Sequence, residues 1–184
     1  MRKTFFGATA LAAVLLASTA FAADPIKIGR VVHMTGPGAG GDAVSHTPNV
    51  ELWVKQVNDR GGLKVGGEMR PIEMVEYDDK TNPAEMIKAV QRLATQDDVD
   101  FLLSPWGTGF NAAAAPIFAK YGYPQISVTN ITDEIEELSG RFPGMFFTLG
   151  STTGFVEGLR DTLNTLRDSG AIGNKVAMVN VADS

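Results

Sequence analysis

A chain of 184 residues with no cysteine, 44% of it hydrophobic, must be held together by burial of apolar surface and not by disulfides. Its formal net charge of −5, without clusters of Lys and Arg, argues against nucleic acid and anionic membrane surfaces as partners. With no Cys to carry a lipid, a lipid-anchored bacterial lipoprotein is not expected.

The first residues read as a removable address. Arg2 and Lys3 precede an apolar run over 5–16, which falls short of the roughly 20 residues a membrane span needs. Ala20-Phe21-Ala22 then gives an A-x-A cleavage pattern. Residues 1–22 are expected to be a signal peptide cleaved after Ala22, and the mature chain to work in the periplasm.

Residues 25–33, PIKIGRVVH, are β-branched and alternating enough for a first strand. A glycine-rich loop over 36–42 follows. Thr47-Pro48 then provides an N-cap and a proline in the first helical turn, and Val50, Trp53, Val54 and Val57 recur at helical spacing until Gly61-Gly62.

The pattern repeats. Residues 69–77, MRPIEMVEY, alternate as a second strand, and Asn82-Pro83 with Glu85 opens a second helix with the stripe Met86, Ile87, Val90, Leu93 and Ala94. A third strand, centred on the apolar run 101–103 and expected to be buried on both faces, passes through Ser104-Pro105-Trp106-Gly107-Thr108-Gly109 into an alanine-rich helix. Pro116 should bend or break that helix. Residues 123–128 form a fourth strand ending in the polar loop 129–133, and 145–149 a short fifth strand. A helix from Thr152 to Gly170 carries Phe155, Leu159, Leu163 and Leu166 on one face, and 175–181, KVAMVNV, is a last strand.

Strands alternating with helices at short connections predict an α/β fold with a doubly wound parallel sheet. Such sheets bind ligands outside the carboxyl ends of their strands. The loops 35–42, 104–109 and 127–132 fall at that edge, so a binding cleft is expected there. The helix after Gly107 would point its unpaired N–H groups and positive dipole end into it, a seat for a carboxylate or phosphate.

Other motifs weigh less. Residues 36–41 formally fit G-x-G-x-x-G, but the acids Glu76, Asp78 and Asp79 come about twice as far on as a ribose-binding acid should, and Pro37 lacks an N–H. His33 and His46 stand at no metal-ligand spacing and read as structural. Asp78-Asp79 reads as the solvated end of a strand and a turn more readily than as an acid/base pair. No G-x-S-x-G and no Cys supports a nucleophile, and no cofactor or metal is expected. Trp106 either packs over the next helix or lines an apolar pocket. Asn130-Ile131-Thr132 matches a glycosylation acceptor, which a bacterial type of signal peptide discounts.

Together these stretches resemble a family. IKIG and MTGP near the mature start, VNDRGG, VEYDDKTNPAE, LLSPWGTG with AAAAPIFAKYGYPQIS, and KVAMVNVADS are similar to type I periplasmic solute-binding proteins of branched-chain amino acid ABC uptake systems. The resemblance implies a two-lobed receptor that closes on an amino acid or similar small carboxylate and delivers it to a membrane permease. It places the carboxylate-binding hydroxyl on Thr108, with Trp106 and Gly107 before it, and backbone N–H groups at Thr129 and Asn130 beyond Ser127. Where the family has a threonine two residues after the Thr129 position, this chain has Ile131.

The resemblance also implies that residues 23–148 are an incomplete N-terminal lobe and 149–184 the start of a second, the family being about twice as long. The expected function is binding without covalent chemistry. A secreted α/β enzyme using Asp78, Asp79 or His33, or a ligand-sensing ectodomain of the same fold, are the alternatives.

Overall fold

The computed structural model describes residues 24–178; the expected signal peptide and residues 179–184 lie outside them. In chain order the elements are β1 (Ile26–Val32), α1 (Ala39–Ser45), α2 (Thr47–Asp59), β2 (Leu63–Val65), β3 (Glu68–Arg70), β4 (Ile72–Asp78) and α3 (Pro83–Thr95). They continue with β5 (Phe101–Leu102), α4 (Thr108–Tyr121), β6 (Gln125–Ser127), α5 (Ile135–Arg141), β7 (Met145–Phe147) and α6 (Thr152–Asp168).

β1 lies at the centre of a three-stranded parallel sheet in the order β4-β1-β5. Its register with β4 runs from Ile26 opposite Ile72 to Val32 opposite Asp78, and Gly29 lies opposite Leu102 of β5. A strand flanked on both edges and covered on both faces must be apolar throughout, and β1 is buried at every position but Lys27. On one face Val31 packs with Met86, Val90 and Leu93 of α3 and Ala114, Ile117 and Phe118 of α4. On the other, Ile26, Ile28 and Ile72 meet Val57 of α2. Helices therefore cover both faces, as a doubly wound sheet requires, and the expected fold class holds.

Several expectations are corrected in detail. The parallel strands form two sheets among the described residues, β6 pairing with β7 and not with β5. The stretch 69–77 is not one strand: Gly66 and Gly67, both at positive φ, turn β3 back on β2 as an antiparallel hairpin, and β4 starts only after Pro71. The loop expected over 36–42 becomes helical from Ala39. Thr47 is not the α2 N-cap; that position is His46, and the Thr47 hydroxyl instead donates to Asp42 at 2.9 Å.

Phe101, expected to be buried on both faces, is 52% exposed, because among the described residues β5 pairs with β1 alone and its other edge has no partner strand. α4 runs unbroken through Pro116. α5 carried no apolar stripe strong enough to announce it and buries no residue. α6 forms as expected behind Ser151, whose hydroxyl accepts from Gly154 N, but Phe155, Leu159 and Leu166 on its apolar face stay exposed. Residues 175–178 carry no strand, and 179–181 of the expected last strand fall outside the described residues.

Candidate functional site

The carboxyl ends of β1, β4, β5 and β6 carry the loops that build the site. Asp78, the last residue of β4, takes the loop after β1 in hand. Its carboxylate accepts from Met34 N at 3.1 Å, Thr35 N at 3.2 Å, the Thr35 hydroxyl at 2.6 Å and Lys80 N at 2.8 Å. The Thr35 hydroxyl first, then these N–H groups, hold its carboxyl below the ordinary range. Thr81 completes the clasp, its hydroxyl donating to Thr35 O and accepting from Gly38 N, both at 3.0 Å.

Asp79 is not the solvated turn residue the sequence led one to expect. It is fully buried, and its carboxylate stands 2.8 Å from Nδ1 of the equally buried His33. A carboxylate offers only acceptors, so Nδ1 carries the proton. The reading of His33 as structural thus fits its surroundings: its ring meets Phe110 edge-on at 4.5 Å and Trp106 at 5.5 Å. Asp42 on α1 is a second buried acid; it accepts from His33 N at 3.0 Å and from the Thr47 hydroxyl. Burial pushes its carboxyl up, but the neighbouring His46 and these two donors outweigh it and lower the pKa to about 2. Arg30, buried beneath, donates through Nε to Glu76 at 2.7 Å.

The centre of the site is the N-terminus of the 14-residue α4. Its N-cap is Gly107 at φ 92°, ψ 148°, a backbone conformation that a side chain would strain. No side chain caps it; instead Asn111 donates to Pro105 O at 2.7 Å and Gly107 O at 2.8 Å, locking the turn from within. Thr129 ties the same turn to the end of β6, its hydroxyl accepting from Gly107 N at 2.9 Å. Thr108 and Gly109 are exposed at the helix start, where N–H groups have no helical acceptor.

Of the six residues singled out from the sequence, Trp106, Gly107, Thr108 and Thr129 meet at one turn, and Ser127 and Asn130 flank Thr129 in the chain. Thr108 presents its hydroxyl at the surface and shares it with Ile131, accepting from N at 3.2 Å and donating to O at 3.3 Å. Ile131 contributes backbone here, which any residue can do. Gly107 and Thr129 shape the turn. Ser127 and Asn130 are wholly buried, and their side chains have no hydrogen-bond partner among the described residues. Trp106 is half-buried and packs over α1, its Nε1 donating to Ser45 at 2.9 Å.

Sequence reasoning missed Asn111, Asp42 and the Asp78–Thr81 clasp. Asn111 alone had a signal, as the only polar residue in the run 110–119. Among the described residues no group of three or more His, Cys, Asp or Glu is placed to hold a metal ion, and no helix is long and apolar enough to cross a membrane.

Comparison with known proteins places this arrangement. Residues 25–184 match the model of a family described as periplasmic binding protein. The Leu/Ile/Val-binding protein homolog 1 of Brucella abortus is 33% identical over 127 residues, which are 69% of this chain and 32% of the relative. The chain thus spans about a third of the length of the curated relatives it matches. The branched-chain amino acid transporter substrate-binding protein LivJ of Streptococcus pneumoniae, solved with isoleucine, aligns with TM-score 0.59 and 28% identity over 69% of this chain and 34% of that one. An ABC transporter solute-binding protein of R. palustris, solved with 4-hydroxybenzoate, aligns with TM-score 0.52 and 25% identity over 70% of this chain and 32% of its own. These relatives are solute-binding proteins, and the chain belongs to the periplasmic binding protein family.

Proposed function

We propose that the chain forms part of a receptor that binds an amino acid, or a similar small carboxylate, at the α4 N-terminus and presents it to the membrane permease of an ABC uptake system. The observation that carries this reading is the turn 105–109. It exposes the first N–H groups of a long helix and the Thr108 hydroxyl at the carboxyl edge of the parallel strands. Free N–H donors and a positive dipole end favour an anion there, and Asn111 and Thr129 hold the turn without occupying the exposed side.

The ligands named for two similar structures, isoleucine and 4-hydroxybenzoate, share a carboxylate on an apolar body. That shared chemistry supports a carboxylate seat and leaves the body to other walls of the cleft. Residues 1–22 are proposed to be cleaved on export, and the ligand-binding set to be Trp106, Gly107, Thr108, Ser127, Thr129 and Asn130.

The test is calorimetry on the full-length mature protein with L-leucine, L-isoleucine and 4-hydroxybenzoate, beside native mass spectrometry for a small molecule that co-purifies. Micromolar or tighter binding of one of them, with the ligand recovered unchanged, is expected. A ligand recovered chemically altered would turn the reading toward an enzyme.

A further inference from the structure

The position of Trp106 has a purpose that its contacts define. Its six-membered ring lies on the backbone of α1 at Gly41, where an added Cβ would stand 2.6 Å from Cη2 and 2.8 Å from Cζ2. One turn later Ser45 accepts the indole N–H at 2.9 Å while donating to Gly41 O at 2.6 Å. The indole also meets His33 in a T-shaped contact, ring centroids 5.5 Å apart, and the buried Asp79 and the ring of Phe110 hold His33 in place. The next residue, Gly107, is the N-cap of α4.

We propose, building on the functional reading above, that Gly41 and Ser45 are positioning residues for the carboxylate seat, acting through Trp106. An indole bonded to α1 and packed against His33 fixes the path of Pro105-Trp106-Gly107. That path sets the direction of the Thr108 and Gly109 N–H groups at the start of α4. Gly41 is required because any side chain there displaces the ring, and Ser45 because it is the acceptor that stops the ring from turning. Neither residue needs to touch the ligand. A helix built from the first loop thereby tunes an anion seat that belongs to the third.

The experiment compares Ser45→Ala, Ser45→Thr and Gly41→Ala in the full-length protein, with L-isoleucine, L-leucine and 4-hydroxybenzoate as probes. Trp106 emission and its quenching by acrylamide are read on a Trp53→Phe background. Ser45→Ala is expected to raise quenching and to weaken whichever probe binds by about tenfold, the equivalent of one misplaced hydrogen bond, with the melting midpoint unchanged. Ser45→Thr, which keeps the hydroxyl, should restore both readings. Gly41→Ala should reproduce the loss. Unchanged affinity in Ser45→Ala beside normal binding by the unaltered protein would overturn this inference alone. Failure of the unaltered protein to bind any probe would overturn the functional reading, and this inference with it.

Discussion

Thr108 tests the seat most directly. Its hydroxyl is exposed and bonded to the Ile131 backbone at 3.2 Å and 3.3 Å, distances at the loose end for a hydroxyl. A carboxylate can replace them with a shorter, charge-assisted bond worth roughly 1.5–3 kcal/mol, so Thr108→Ala should weaken binding of L-isoleucine by about ten- to a hundredfold without unfolding the protein. An unchanged dissociation constant by calorimetry would remove Thr108 from the site. Asp42 makes the corresponding statement about stability. Its pKa is depressed from 3.8 to about 2, so the native state binds the proton less readily than the unfolded chain. The stability this contributes, about 2 kcal/mol, is fully present above pH ~4 and lost as pH falls through ~2. Thermal unfolding of the full-length protein and its Asp42→Asn variant should therefore differ most above pH ~4 and converge toward pH ~2. The turn at Thr108 was legible because glycines on both sides mark it. Asp79 was not, because its partner His33 is chosen by how loops meet in space, and a pair 46 residues apart leaves no periodicity; Asp42 was not, because its bond to Thr47 at the α1–α2 junction follows no capping pattern.

Local chemistry decided which elements could be read. Asn82 was expected to open α3 and does: its side chain accepts from Ala84 N at 2.9 Å and Glu85 N at 3.2 Å. Both contacts lie within three residues, the range over which sequence alone determines geometry. Asn82→Ala should cost about 1 kcal/mol and Asn82→Asp almost nothing, read as a shift in the urea midpoint at constant slope. Equal loss in both variants would mean that the cap is not what the position contributes. The β2–β3 hairpin had its signal, a Gly66-Gly67 pair between short alternating runs, but residues 69–77 alternate across Pro71 as if they were one strand. Thr47-Pro48 misled in the same way, since a capping sequence next to a buried acid gives its hydroxyl to the acid. The apolar stripe of α6 announced the helix correctly and said nothing of its partner, and α6 remains without one among the described residues.

At the scale of the molecule, what is covered and what is open divide sharply. β1 and the faces of α3 and α4 toward it are sealed, whereas a groove of about 500 Å³ between α2 and β6, lined by Val50, Trp53, Leu103, Ile126 and Val128, is open. Phe101, Phe146, Phe155, Val156 and Leu159 are all more than half exposed. Apolar surface of that extent on a chain spanning about a third of its relatives' length drives association when left in water. A polypeptide limited to residues 23–184 should accordingly elute above its monomer mass at micromolar concentration, bind a hydrophobic dye, and unfold over a broad temperature range. If, as proposed, the cleft is completed by a second lobe, the hydrogen bonds its carboxylate seat makes to L-isoleucine in this polypeptide must compete with water and the ordering cost is not offset by burial. No ligand-dependent rise in the melting midpoint is expected. A monomer with a sharp transition that L-isoleucine shifts upward at micromolar concentration would show instead that the α4 seat suffices for binding, and that the open surfaces serve neither closure nor folding.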